Sequence, residues 1–239
     1  VAGAGTTITL LQKLAPAFSA RHPGVEIIFL PDSHTAGGID IVAGGQADIG
    51  ALARQLHLKE KRAELSARYF ATDPVVFVAH PSVGITGLTR REIRSIFSGE
   101  VSDWGAAGGN GKIVLIDRPP SAAAWELLAE SIFEPPFQPA SGRVTIDRSI
   151  DTVEAVADTP GAIGYLSLGI ARMAGPAVTI LAVDGVAASA ATVRDGSYPF
   201  VRSLGIVFRT DASPAVVSLA DFLGTDEARK LIIQSGFLP

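Results

Sequence analysis

The residues of this chain with the most evident chemistry open it: Val1-Ala2-Gly3-Ala4-Gly5-Thr6-Thr7-Ile8, small residues and two hydroxyls that lead straight into an amphipathic pattern. Over residues 6–20 the apolar side chains Ile8, Leu10, Leu11, Leu14, Ala15 and Phe18 recur at three- and four-residue spacings, which predicts a helix with one buried face. A helix starting here points the unshared N–H groups of its first turn, and the positive end of its dipole, at whatever lies in front of it. Glycines let that ligand approach the backbone. The chemistry such a start suits is the binding of an oxyanion, but read from this stretch alone Gly5-Thr6-Thr7 is more often a plain helix cap. Two nucleotide motifs are absent: Ile8 stands where a dinucleotide fingerprint needs its third glycine, and no Gly-Lys-Ser/Thr follows.

The elements that must position this turn follow in order. Residues 25–30, rich in β-branched and aromatic side chains, predict a buried strand. Residues 31–38 then form a glycine-bearing loop before a short helix at 39–43. A strand is predicted at 47–51, a charged exposed helix at 59–68 and a nearly all-apolar strand at 73–79. Thr89 with Glu92 three residues on gives a capping box for a helix over 89–97. A strand at 112–116 ends in Asp117-Arg118-Pro119-Pro120-Ser121 before a helix from 122 to about 132. Further helices are expected at 150–158, 214–223 and 225–234, and strands after Pro160-Gly161 and at 201–208. Strands alternating with helices make an α/β protein. In such sheets ligands bind beyond the carboxyl ends of strands, where Thr7, Thr35 and Arg118 all stand beside predicted helix starts.

Composition excludes several classes. A chain of 239 residues, 47% hydrophobic and 18% charged, is a well-buried globular protein of one large domain or two lobes. Its net charge of −4 and scattered basic residues argue against nucleic-acid binding. With no Cys there is no disulfide framework or thiolate metal site. His22, His34, His57 and His80 lack metal-ligand spacing, so no metal and no cofactor is expected; only His34 falls in a loop before a helix start. No run reaches the roughly 18 apolar residues of a membrane span, and an opening on small residues is what a trimmed mature chain is expected to show. Neither Gly-x-Ser-x-Gly with a His partner nor a carboxylate pair can be picked out, so no enzyme is expected.

Taken together the loops resemble the phosphate-binding substrate-binding proteins of ABC importers, with the type II periplasmic binding protein fold. Leu10-Leu11-Gln12-Lys13-Leu14-Ala15, Phe18 and His22-Pro23-Gly24-Val25 are similar to that family's opening helix and strand. Thr35-Ala36-Gly37-Gly38-Ile39 resembles its Ser- and Gly-rich loop, and Ala47-Asp48-Ile49-Gly50 its third binding segment. Pro74-Val75-Val76-Phe77-Val78, Leu88-Thr89, Ile96-Phe97-Ser98-Gly99, Trp104, Pro160-Gly161-Ala162-Ile163-Gly164-Tyr165 and Tyr198-Pro199 fall in the family's order.

The resemblance implies two α/β lobes, residues 1–76 with 207–239 and residues 77–206, with mixed sheets, two crossing hinge strands and an anion held in the cleft on closure. It implies a periplasmic or cell-surface monomer that delivers inorganic phosphate, or a similar oxyanion, to the membrane subunits of an ABC importer. An extracytoplasmic anion sensor with no transport role is the alternative. Carried over by position, Gly5, Thr6, Thr7 and the Ile8 amide make the first anion-binding turn; Thr35 takes the place of a ligand-binding Ser, with Ala36 and Gly37 offering amides. Arg118 matches the arginine of the second-lobe loop, where a guanidinium gives an oxyanion two charged hydrogen bonds; read alone it is a surface arginine at a strand end. Arg54 stands where some members have a proton-accepting acid or a Ser-Arg pair, and would as readily pair with a nearby acid as meet a ligand. The family's Ser-Gly-Thr run is here Pro119-Pro120-Ser121-Ala122-Ala123-Ala124, so Ser121 replaces its Ser only if the loop is one residue shorter.

Overall fold

The computed structural model describes all 239 residues. In chain order the elements are β1 (Ala2–Gly3), α1 (Gly5–Arg21), α2 (His34–Ala43), β2 (Ile49–Leu52), β3 (Leu65–Ala79), β4 (Gly87–Leu88) and α3 (Arg90–Ser98). There follow β5 (Val114–Asp117), α4 (Ala123–Ala129), β6 (Val144–Thr145), α5 (Ser149–Asp158), β7 (Ala162–Ser167), α6 (Leu168–Met173), β8 (Thr179–Val183) and α7 (Ala190–Arg194). Last come β9 (Val201–Arg209), α8 (Pro214–Phe222) and α9 (Asp226–Gln234). No helix is long and apolar enough to cross a membrane.

The chain divides into two units, Val1–Asp73 with Arg202–Pro239, and Pro74–Val201. Both crossings come earlier than residues 76 and 206: Asp73 pairs with Arg202, and Arg202 donates to Thr6, all inside the first unit.

In the first unit β1 runs parallel to β2, with Ala2 opposite Gly50, and β2 antiparallel to β9, with Ile49 opposite Phe208; β9 lies beside β3. The buried stripe of α1 is the expected one, Leu10, Leu11, Leu14 and Phe18. Ile39 of α2 meets Leu52 and Val207 in the core. Two glycines set the approach of β1 to its neighbours, Gly3 toward β2 and Gly38 of α2 toward β1. Gly3 has φ +118°, and a Cβ on it would lie 2.4 Å from the Ala51 carbonyl oxygen; a Cβ on Gly38 would lie 2.7 Å from the Gly3 Cα. Hydrogen at Gly3 lets β1 pair closely with β2, and hydrogen at Gly38 lets α2 rest on the strand that feeds α1.

In the second unit β3 is flanked by β7 and β8, both antiparallel to it, with Phe77 opposite Tyr165 and Leu181. β5 is parallel to β7, β6 to β5 and β4 to β8. Phe77, Phe97, Phe133 and Tyr165 form an aromatic cluster with ring centroids 5.4–6.0 Å apart. The capping box forms as the sequence predicts: the Glu92 N–H donates to Thr89 Oγ1 at 3.2 Å and the Thr89 N–H to Glu92 Oε2 at 2.7 Å.

Three local expectations are corrected. Residues 25–30 are not a strand: the Val1 amine donates to the Ile28 carbonyl and the Leu30 N–H to the Val1 carbonyl, but one neighbouring residue is too little for a ladder. Ile28 and Leu30 stay 63% and 39% exposed instead of buried. Residues 59–68 are not a helix. A 3₁₀ turn, Leu58–Glu60, is followed by β3, and Leu65 and Ala67, two apart as on one face of a strand, pack on Ile39, Leu52 and Val207. The second helix starts at His34, not at residue 39, so Thr35, Ala36 and Gly37 are its first turns.

Candidate functional site

The start of α1 is built from its backbone outward. Ala4 precedes the helix in extended conformation and no side chain caps it. Thr6 and Thr7 therefore lie inside the first turn, not at the cap. The Ile8 N–H donates to the Ala4 carbonyl at 3.0 Å, so Ile8 closes the helix and its amide is not a ligand donor as expected. The N–H groups of Gly5, Thr6 and Thr7 are the ones helix geometry leaves without an intrahelical acceptor.

The hydroxyls take different parts. Thr7, fully buried, donates to the Leu52 carbonyl at 2.7 Å. Its proton is committed within the fold, a correction to its expected use as a donor to ligand. Thr35 Oγ1 accepts from the Ala53 N–H at 3.1 Å, which leaves its own proton to give. Together these bonds tie the first turns of α1 and α2 to the end of β2. Thr6 Oγ1 accepts from Arg202 Nη2 at 3.1 Å; Arg202 Nε and Nη2 reach Asp73 Oδ2 at 3.0 and 2.9 Å. The sequence reading passed over this pair. Its signal was a lone charge in each of two apolar strands, where burial demands a partner.

A third residue missed from sequence is Asp32. A Cβ on Gly5 would lie 2.3 Å from Asp32 Oδ2, so the carboxylate lies directly beside the first turn of α1. Its Oδ1 accepts from the His34 N–H at 2.8 Å and holds His34 at φ +56°. An Asp two residues before a helix start is an ordinary turn signal; only the fold brings it to Gly5. Ala36 is exposed and Gly37 partly so, both in the first turns of α2.

Of the two readings of Arg54, the structure shows the pairing with an acid: its Nη1 and Nη2 bond Glu60 Oε2 and Oε1 at 2.7 and 2.8 Å, a bidentate pair. Hydrogen bonds from Arg54 hold the Glu60 carboxyl at about 2, down from 4.5. A depressed carboxyl stabilises the fold above its unfolded value and loses that contribution as pH falls through the folded one. We expect the stability gap between the parent and Glu60→Gln, read from urea midpoints, to be full above pH 4.5 and to close toward pH 2; a gap independent of pH would refute the pairing.

In the second unit Arg118 is 5% exposed. Its Nη1 donates to Ser149 Oγ at 2.7 Å, Nη2 to the Asp147 carbonyl, and its N–H to Asp117 Oδ1 at 2.7 Å. The neighbouring Asp117 is buried, paired with Arg143 at 2.9 Å and bonded by the Tyr165 hydroxyl at 2.6 Å. Burial and the Asp117 charge push the Tyr165 phenol well up, so it stays a donor. Contrary to expectation, two guanidinium nitrogens of Arg118 hold the start of α5. Ser121 is exposed, in the loop between β5 and α4, and makes no cap to α4.

Two α/β units joined by two chain crossings, with a hydroxyl-bearing helix start at a strand end, make the type II periplasmic-binding-protein fold. A family model described as a PBP superfamily domain matches residues 1–227, and the chain belongs to that superfamily. It is 26% identical over 246 residues to the phosphate-binding protein PstS of Bacillus subtilis, covering all of this chain and 79% of the relative. It is likewise 26% identical over 248 residues to PstS of Borreliella burgdorferi, covering 88% of that relative. Among solved structures, a Clostridium perfringens protein described as a phosphate ABC transporter substrate-binding protein, with bound phosphate, superposes with TM-score 0.89 at 24% identity, covering 99% of this chain and 97% of the other. An ABC-type phosphate transport receptor of Vibrio cholerae gives TM-score 0.77 at 20% identity, covering 100% and 98%.

Proposed function

We propose that this protein is a non-enzymatic, extracytoplasmic receptor for inorganic phosphate that delivers it to the membrane subunits of an ABC importer. The observation that carries the reading is the first unit's knot at the end of β2: the start of α1, with the Asp32 carboxylate beside Gly5, is tied to Leu52 through Thr7, and the start of α2 to Ala53 through the Thr35 hydroxyl. Amides and a hydroxyl donate to oxyanion oxygens. Asp32 can only accept, which suits an anion that still carries a proton. Hydrogen phosphate has one at neutral pH and sulfate has none, so sulfate meets the carboxylate as an unrelieved negative charge. The Bacillus subtilis and Borreliella burgdorferi relatives are both named as phosphate-binding proteins, which supports the same ligand. In the second unit, the exposed Ser121 hydroxyl is the donor its loop offers.

The test is isothermal titration calorimetry of dialysed protein with phosphate, then sulfate. Phosphate is expected to bind with a micromolar or lower Kd, roughly −8 kcal/mol or better, and sulfate about 100-fold more weakly. Silence for both anions would overturn the function; equal binding would remove Asp32 from the selection.

A further inference from the structure

We propose that Arg202 is a positioning residue for the anion-binding turn, acting through Thr6 and held in place by Asp73. The inference rests on the assignment of the α1 start as the oxyanion site. Asp73 is completely buried and the Arg202 side chain is 5% exposed. Desolvating two such charges costs about as much as their attraction returns, and well-packed apolar residues would stabilise a core at least as well. The pair therefore calls for a role in geometry.

That geometry is specific. Arg202 Nε and Nη2 both address Asp73 Oδ2, at 3.0 and 2.9 Å, which fixes the guanidinium plane. The same Nη2 donates to Thr6 Oγ1 at 3.1 Å, 196 residues away in the chain. Thr6 is the second residue of α1, between Gly5 and Thr7, in the turn assigned to the anion. Thr7 is pinned by the Leu52 carbonyl and Gly5 is bounded by Asp32, so the bond from Arg202 holds the turn from a further side. Asp73 and Arg202 are also the last and first residues of the two segments that make up this unit, so the ends of both segments are referred to one point on the helix start. Lysine would keep the charge and lose the fork, because a point-like ammonium cannot hold Asp73 and Thr6 in one plane.

The test compares the parent with Arg202→Lys, Thr6→Val and the double variant. Two readouts are taken: phosphate affinity by calorimetry, and backbone ¹⁵N order parameters of Gly5, Thr6 and Thr7 without ligand. Each single variant should weaken phosphate binding about tenfold, and the double variant no further, because both remove the same contact. The order parameters of the three amides should fall from about 0.85 toward 0.6 while those of β2 hold. Variants that melt earlier but keep parental affinity and a rigid turn would reduce Arg202 to a structural ion pair and overturn the proposal. If the parent itself binds neither phosphate nor sulfate, the functional assignment fails, and the order parameters still decide whether Arg202 sets the turn. Should Arg202→Lys not fold, Thr6→Val carries both readouts, since it removes the acceptor and leaves the ion pair intact.

Discussion

Replacing Asp73 with alanine is expected to cost about 3–5 kcal/mol of stability, among the largest losses a single substitution can cause in this chain. Asp73 is fully buried and its partner Arg202 nearly so, and the variant leaves a guanidinium without counter-charge in the core of the first unit. The paired replacement Asp73→Leu with Arg202→Met removes both charges together and should recover most of that loss, to within about 1 kcal/mol of the parent. Urea unfolding followed by hydrogen exchange of the β2 and β9 amides reports on the unit concerned. A loss below about 1 kcal/mol in Asp73→Ala would mean that the guanidinium finds water, and the pair is not buried in solution. The paired variant separates stability from function: it should fold and still bind phosphate poorly, because Thr6 has lost its donor.

The second large effect is expected at Arg118. A residue that mainly touches ligand would, on removal, change affinity and leave the unfolding midpoint alone. Arg118 instead donates to Ser149 Oγ and the Asp147 carbonyl from a nearly buried position. Arg118→Ala leaves those acceptors without their charged donor and should cost about 3 kcal/mol in the second unit. Arg118→Lys should recover less than half, since one ammonium cannot span the two acceptors. Trp104 and Trp125 are the only tryptophans and both belong to that unit, so fluorescence-monitored urea unfolding reads it directly. A parental midpoint in Arg118→Ala, joined to a large loss of phosphate affinity, would return the guanidinium to the ligand.

Much of the element order was legible in the sequence because it is decided locally. The buried stripe of α1 follows from apolar spacing, and the start of α3 from Thr89 and Glu92, whose reciprocal bonds span three residues. Local evidence failed where pairing across the chain outweighs local pattern. The β-branched run at 25–30 lacks a neighbour long enough to make it a strand, and the charged run at 59–68 yields to β3 because Leu65 and Ala67 find a distant core.

The site divides along the same line. Residue type and order determined that donors stand at the start of α1 and α2, since glycines, hydroxyls and helix starts are local features. Tertiary structure decided what each group is free to do: Thr7 is committed to Leu52, 45 residues away, whereas Thr35 accepts from Ala53 and keeps its proton. Arg54 and Arg118 were legible as cations, but the fold gave them Glu60 and the start of α5 as partners. Asp32 reached Gly5, and Arg202 reached Thr6, only through chain folding. A side chain's type is fixed by the sequence, but its hydrogen bonds go to whichever partner packing brings within about 3 Å, and for buried groups that partner lies far along the chain.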